Sequence, residues 1–329
     1  MGSIGYAASF EQFHPTDLLK YSQLAEKNGF SVITASDHFH PWVPSQGHSA
    51  FVWSWMGALG ATTNLRFGTG VTPPGWRYHP AILAQAAATL EAMYPGRFFL
   101  GLGAGEALNE HIVGDYWPEA PTRLDRLVEA IEIIEKLFTG KVVKHSGKHF
   151  TVESAKLYTL PDAPPPIYVA TSGPIMAART GKLTEGIITV GAADEKIKML
   201  LDRFDKGARD AGKDPNTLAK ILQVKVSYAT TEQEAIDSAM KDWPNGGMNF
   251  PKADIRNPED FEAMSKLVRP ENYKNRVLTT ADLSEHVAYL QHFIDLGFRE
   301  IHIHNVNRNQ EGFIEAYGKD VLPKLNWPS

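Results

Sequence analysis

The 329-residue chain contains no cysteine, which removes disulfides, cysteine-ligated zinc and a thiolate nucleophile from consideration and fits a reducing compartment. No apolar run is long enough to span a bilayer. The N-terminal stretch Ser3-Ile4-Gly5-Tyr6-Ala7-Ala8-Ser9 lacks the basic region and apolar core of a secretory signal, so cytoplasm is the expected location. Basic clusters are missing as well. With 33 Lys and Arg against 38 Asp and Glu, the formal charge of −5 leaves no footprint for a phosphate backbone, so no nucleic acid and no membrane are expected as partners, and a small-molecule substrate is. The chain carries no low-complexity tract and no internal repeat beyond strand–helix alternation. What it does carry is 43% hydrophobic and 22% charged residues, enough apolar material for a large core. The length is that of an α/β barrel, and one domain spanning 1–329 is expected.

Apolar runs alternate with segments of helical period, the pattern of repeated βα units around a parallel sheet. Eight strands are expected, near Ile4–Ala8, Val32–Ser36, Leu65–Val71, Arg97–Leu102, Ile167–Thr171, Gly186–Val190, Ile221–Tyr228 and Glu300–His304. The fold class expected is therefore a (β/α)8 TIM barrel. Helix boundaries are legible at Thr16-Asp17 to Gly29, His79-Pro80 to Met93, Arg123 to Phe138, Thr231-Glu232 toward Lys241, Ala281 to Leu296 and Gln310 to Leu322. Three excursions break the alternation: Ala107–Pro118 and the hairpin-like Lys141–Pro166 after strand four, and Pro244–Thr280 after strand seven, the last a candidate substrate cover or a contact surface.

Active sites of such barrels form at the C-terminal strand ends, so polar residues there outrank others. After strand two comes Ser36-Asp37-His38-Phe39-His40-Pro41-Trp42: an acid–imidazole pair with a flat aromatic wall beside it. A helix cap with a satisfied histidine is the plain alternative. His38, His40, His302 and His304 form two His-x-His pairs that would suit a metal, yet the intermediate strand ends offer no further ligands, so no metal is expected and His302 reads as barrel filler. Strand three ends in Gly68-Thr69-Gly70-Val71-Thr72-Pro73-Pro74-Gly75, crowded enough to press backbone against a planar ligand, or simply a tight turn. Strand four ends in Gly101-Leu102-Gly103-Ala104-Gly105-Glu106-Ala107-Leu108-Asn109-Glu110, where Gly105 permits close approach and Glu106 and Asn109 supply an acid and an amide. It does not match the dinucleotide fingerprint. Thr171-Ser172-Gly173-Pro174-Ile175 opens a helix after strand five and reads as a phosphate cradle or a plain cap.

Read in order, Ser9-Phe10-Glu11-Gln12-Phe13, Asp37-His38-Phe39-His40-Pro41-Trp42, Arg77-Tyr78-His79-Pro80-Ala81, Tyr94-Pro95-Gly96-Arg97 and Gly105-Glu106-Ala107-Leu108-Asn109-Glu110 resemble the coenzyme F420-dependent branch of the luciferase-like superfamily. That group contains F420-dependent glucose-6-phosphate and secondary-alcohol dehydrogenases. The resemblance covers nearly the whole chain and implies a homodimeric F420-dependent oxidoreductase acting on CH–OH groups. It implies F420 across the barrel mouth, its phosphate near Ser172, Gly173, Pro174 and Ile175, a non-prolyl cis peptide at Gly70-Val71 behind the ring with Thr72 and Gly105 beside it, and cofactor hydrogen bonds from Asp37 and Asn109. It implies His38 as the base that takes the hydroxyl proton, Trp42 and Glu11 as the substrate frame, and Glu106 at the electron-accepting end of the ring. Members that act on sugar phosphates carry a threonine and a lysine after strand six, where Val190 and Ala193 stand here; Lys225, Lys274 and Arg276 are the candidate substitutes for that lost cation. Substrate candidates are thus Lys225 and Arg276, with an unphosphorylated or differently phosphorylated alcohol favoured. The rival readings are an FMN-dependent luciferase-like monooxygenase, a barrel metallohydrolase and a non-enzymatic cofactor-binding protein.

Overall fold

The computed structural model describes residues 2–328. Its strands are β1 Ser3–Ala8, β2 Val32–Ala35, β3 Arg66–Thr69, β4 Phe98–Leu102, β5 Val143–Ser146, β6 Thr151–Ala155, β7 Ile167–Ala170, β8 Gly186–Val190, β9 Ala219–Tyr228, β10 Leu278–Thr280 and β11 Glu300–Asn305. Eight of them, β1-β2-β3-β4-β7-β8-β9-β11, pair in parallel and return to β1, closing the expected TIM barrel. Closure leaves no edge within the ring. The antiparallel pair β5–β6 is the hairpin read in Lys141–Pro166. The tenth strand was not anticipated: β10 lies inside the Pro244–Thr280 excursion and joins the outer end of β9 in parallel, Leu278 opposite Val226. At three residues it is too short to show a period of two.

The helices are α1 Pro15–Lys27, α2 Val52–Thr62, α3 Pro80–Met93, α4 Ala107–Glu110, α5 Ala120–Phe138, α6 Pro174–Leu183, α7 Asp194–Asp210, α8 Glu232–Asp242, α9 Pro258–Ser265, α10 Leu283–Asp295 and α11 Gln310–Ala316. Two begin alike: His14 before α1 and His79 before α3 accept the N–H two residues on, and proline follows at the first helical position, where its missing N–H costs nothing. Helices α2, α4, α6, α7 and α9 went undelimited in the sequence reading. For α2 the reason is physical, since Val52-Trp53-Ser54-Trp55-Met56 is apolar on nearly every side and hides the helical period. The terminal helix is shorter than expected: after Ala316 the backbone widens to a π-turn over Tyr317–Val321, where the Tyr317 hydroxyl meets His286 Nδ1 at 2.6 Å. Among the described residues no helix is long and apolar enough to cross a membrane.

Strand register stacks the barrel interior in layers. In one layer Gly5, His302 and Gln223 stand abreast; nearer the C-terminal mouth, His304 stands beside Lys225, and Ala7 beside Thr34. A Cβ at Gly5 would lie 2.6 Å from the His302 ring, so the glycine makes room for the histidine. His302 fills the barrel as expected and hydrogen-bonds Glu300 at 2.7 Å, while Arg66 reaches the same carboxylate at 2.9 Å.

Candidate active site

Seven of the eight barrel strands contribute their C-terminal ends to a cavity of about 300 Å³ at the barrel mouth. From the β1 end, Ser9 and from the β2 end, Ser36 each donate a hydroxyl to Glu11 Oε2, at 2.9 and 2.8 Å, so the buried carboxylate is fixed. Its other oxygen stands 3.1 Å from His38 Nδ1, close in distance though off the ideal hydrogen-bond direction. The opposite ring nitrogen, Nε2, lies 3.9 Å from Glu106 Oε2. Trp42 packs 5.3 Å from the His38 ring, tilted at 60°. An imidazole between two carboxylates, one buried and one facing the cavity, is equipped to accept a proton at Nε2. Burial pushes the Glu106 carboxyl above its ordinary range, while His38 and Lys252 pull it back.

Asp37, expected to hydrogen-bond the cofactor, lines the cavity and is held by protein donors on both oxygens. Its Oδ1 accepts Arg77 Nη1 at 3.1 Å and the Tyr78 hydroxyl at 3.0 Å; its Oδ2 accepts the Thr72 hydroxyl at 2.6 Å and Trp53 Nε1 at 3.3 Å. Four protein donors fill a carboxylate. Thr72 is likewise turned inward and fully buried. Asn109 accepts the N–H groups of Phe39 and His40 at its Oδ1, at 2.9 and 3.1 Å, which leaves its amide nitrogen for the cavity it lines.

The cavity is lined by Glu11, Asp37, His38, Trp42, Gly70, Val71, Gly105, Glu106, Asn109 and Lys225, so most of the sequence candidates meet in one place. Gly70-Val71 is a non-prolyl cis peptide, as expected. A Cβ at Gly70 would come within 2.2 Å of Thr34 Oγ1. An adjoining cavity of about 320 Å³ shares Gly70, Val71 and Glu106 and extends past Thr171 and Ser172. The hydroxyls of Thr34 and Thr189, both lining it, are buried without a hydrogen-bond partner. Unpartnered buried hydroxyls beside a cavity are groups a polar ligand would satisfy. At the start of α6 the cradle is narrower than the sequence suggested: the Gly173 N–H is taken by Thr171 Oγ1 at 3.1 Å, Pro174 has none, and Ile175 projects outward, 70% exposed. Thr171 and Ser172 are the members of that group that reach the cavity wall.

Arg276 lies apart. Its guanidinium bonds Met248 O at 3.1 Å and the Asn249 side chain, and it lines a separate polar cleft with Lys274. A cation the sequence reading missed is Lys252, on the Pro244–Thr280 excursion. Its Nζ donates to Asn245 O at 2.5 Å and stands 6.0 Å from the Trp42 ring centre. Burial first, and then the neighbouring Lys225, push its ammonium down to about 8, against the pull of Glu106. Lys225 is lowered by burial too, and Glu11 and Glu106 oppose the shift. No local motif announces Lys252; only the excursion itself marked the segment.

The four histidines do not assemble as a metal site. His302 is held by Glu300, His40 donates from Nδ1 to Leu108 O at 2.8 Å, and His304 donates from Nε2 to Gln12 Oε1 at 2.8 Å. Gln12 is oriented by Asp242 O and Val306 O, which fixes that tautomer, and burial drives His304 down to about 3, so it is neutral. Among the described residues no group of three or more His, Asp or Glu is placed to hold a metal ion.

With this geometry in place, comparison with known proteins is informative. A Microbacterium testaceum protein described as F420-dependent glucose-6-phosphate dehydrogenase is 39% identical over 324 residues, covering 98% of this chain and 96% of that protein. A Rhodococcus jostii protein, F420-dependent glucose-6-phosphate dehydrogenase 2, is 35% identical over 98% of this chain and 97% of its own length. Among solved structures, an F420-dependent secondary alcohol dehydrogenase in complex with an F420-acetone adduct superimposes with a TM-score of 0.93 at 34% identity, covering 99% of both chains. The model of the luciferase-like monooxygenase family matches residues 2–300, and the chain belongs to that family.

Proposed function

We propose that this chain is a coenzyme F420-dependent dehydrogenase that oxidises the hydroxyl-bearing carbon of a small substrate, a sugar phosphate or a secondary alcohol. The similarity at 34–39% identity to dehydrogenases named for F420 supports the cofactor and the reaction class. The observation that carries the reading is the convergence of His38 Nε2 and Glu106 on one cavity lined also by the unpartnered hydroxyl of Thr34 and the amide of Asn109, with the unpartnered Thr189 hydroxyl on the adjoining cavity. Those donors, with Ser172 at the far end, fit a flat ring with polar edges and a phosphorylated tail. When bound, F420 supplies a two-electron hydride acceptor.

The side chains supply the rest. A hydroxyl carbon releases hydride only as its proton leaves, and His38 takes that proton at Nε2. Glu11, 3.1 Å from Nδ1, favours the proton on that nitrogen beforehand and stabilises the imidazolium afterwards. Glu106, raised by burial, holds a proton at higher pH than an ordinary carboxyl and can place it at the cavity wall. Trp42 excludes water from one side of the imidazole. Lys252 and Lys225 bring positive charge to the mouth, offsetting the absence of a cation at Val190 and Ala193, and so favour an anionic substituent on the substrate. The reading extends to a cytoplasmic homodimer of single-domain chains. Its support is the cysteine-free composition for the compartment and, for the dimer, the family resemblance of the sequence. Sedimentation analysis tests the dimer.

Titrating the protein against F420 should quench cofactor fluorescence at low micromolar concentration, and a panel of sugar phosphates and secondary alcohols should then reduce bound F420. Tight FMN binding with no F420 affinity, and oxygen consumption with reduced FMN, would overturn the proposal.

A further inference from the structure

We infer that Arg77 is a positioning residue that sets the spacing between His38 and Glu106 while touching neither substrate nor cofactor. The inference rests on the roles proposed above for those two groups. Arg77 lies between β3 and α3, outside the cavity lining, with its side chain 7% exposed. From Nη2 it donates to Asp37 O at 2.9 Å, from Nη1 to Asp37 Oδ1 at 3.1 Å and from Nε to Glu110 Oε1 at 2.9 Å. Its backbone N–H donates to Glu110 Oε2 at 3.2 Å. One planar cation therefore ties two loops. Asp37 immediately precedes His38, and Glu110 closes α4, the short helix whose N-cap is Glu106.

Around this tie a second one holds the other side of His38. Asn109 binds the N–H groups of Phe39 and His40, and His40 Nδ1 donates to Leu108 O, so residues 39–40 are fastened to α4 as well. The Asp37 carboxylate also reaches Thr72, next to Gly70-Val71, and Tyr78 and Trp53. His38 is thus bracketed on both sides by bonds to the element that carries Glu106. The 3.9 Å between Nε2 and Oε2 is a consequence of those bonds. Arg77 also neutralises the paired carboxylates: burial raises Glu110, and Arg77 draws it back. Without the guanidinium, Asp37 and Glu110 face one another uncompensated, and the two loops separate or one acid takes up a proton. Lysine retains the charge but cannot span both carboxylates and the carbonyl in a planar fork.

The test compares Arg77→Lys and Arg77→Gln with the parent, in the parent and in the His38→Asn background. It measures thermal melting, the F420 dissociation constant by fluorescence, and kcat and KM with a sugar phosphate or secondary alcohol found in the panel. The expected result is a kcat lower by roughly tenfold or more in Arg77→Gln, with Arg77→Lys between, while the F420 dissociation constant stays within about twofold and KM within about threefold. In the His38→Asn background the same replacement should change the residual kcat by less than about twofold, because the residue it positions is gone. A merely structural arginine would lower kcat by the same factor in both backgrounds, and that additivity, or an unchanged kcat in Arg77→Gln, overturns the inference alone. Parental turnover in His38→Asn, or no F420 binding by the parent, overturns the underlying reading and this inference with it. Where Arg77→Gln does not fold, Glu110→Gln, which keeps size and an acceptor, is judged by the same non-additivity.

Discussion

If Lys252 binds an anionic group of the substrate, its lowered ammonium makes the Michaelis constant depend on pH in a range where most cations do not titrate. Its value of about 8 means that the charged form predominates at pH 7 and is the minor form at pH 9. The sign is set by burial: a lysine shifted down loses its charge, and with it the anion affinity, as pH rises through the shifted value. From the ratio of charged fractions, affinity for a sugar phosphate should fall about tenfold between pH 7 and 9, which corresponds to roughly 1.4 kcal/mol. A phosphate monoester has its second pKa near 6, so the substrate's own charge is constant over that range. The assay is KM against pH for one sugar phosphate and one neutral secondary alcohol, with parent, Lys252→Arg and Lys252→Met. Arginine holds its charge throughout and should flatten the profile. Methionine should raise KM for the phosphate at pH 7 by about tenfold or more, the worth of a hydrogen bond to a charged group, and should also flatten it. The neutral alcohol should show neither effect. A flat parental profile for the phosphate, or an equal rise for the neutral alcohol, refutes the assignment of Lys252 to an anion.

His38→Ala should lower kcat by about 10²-fold or more while the F420 dissociation constant, measured by fluorescence, moves less than about threefold; retained turnover would remove the imidazole from the base role. Gly70→Ala places a Cβ 2.2 Å from Thr34 Oγ1 and should cost about 1–3 kcal/mol in denaturant unfolding. Adding Thr34→Ala removes the clashing oxygen and should recover more than half of that loss; a double variant no better than the single would show that the contact is not the cause. Glu300 is raised by burial but drawn down to about 2 by His302 and Arg66, so its stabilisation is complete above its ordinary value near 4.5 and is lost as pH falls toward 2. The shift of about 2.5 units corresponds to roughly 3 kcal/mol, and Glu300→Gln should remove that part of the acid sensitivity when unfolding free energy is followed from pH 5 to 2.

The barrel was legible because its strands are largely buried on both faces: Phe98-Phe99-Leu100-Gly101-Leu102 reads as one continuous apolar run, and Ile167-Tyr168-Val169-Ala170 beside it does likewise. The helical starts near Thr16-Asp17, after Pro15, and at His79-Pro80 were legible because proline acts locally, while the capping role of His14 came only with the structure. Strand β10 was not, because three residues gain their identity from pairing with β9, a contact distant in sequence. The same division runs through the site. His38, Glu106 and Glu11 sit at strand ends, where the architecture alone selects them. Lys252 owes its place over Trp42 to latches elsewhere: the Ala107 N–H donates to Ala253 O at 2.7 Å, and Asp254 accepts Trp117 Nε1 at 2.9 Å and Arg123 Nη1 at 3.0 Å. Nothing within five residues of Lys252 encodes those partners.

Asp37 shows most clearly how a residue can be picked out from sequence while its protein partners stay hidden. An acid before a histidine at a strand end is a sound candidate for ligand contact, since a carboxylate there has free oxygens unless other loops fill them. Here two other segments do so, the start of α2 through Trp53 and the β3–α3 connection through Thr72, Arg77 and Tyr78. The two readings separate in Asp37→Asn. If the carboxylate touched the cofactor, F420 affinity would fall with little loss of stability. If it is a filled acceptor only, the amide nitrogen would confront donors, Arg77 would lose one of its two carboxylate partners, and stability should fall by about 3–5 kcal/mol with F420 affinity in the folded fraction within about twofold. A folded, stable Asp37→Asn protein with weakened F420 binding would return the residue to the cofactor and leave the loops to be held by other means.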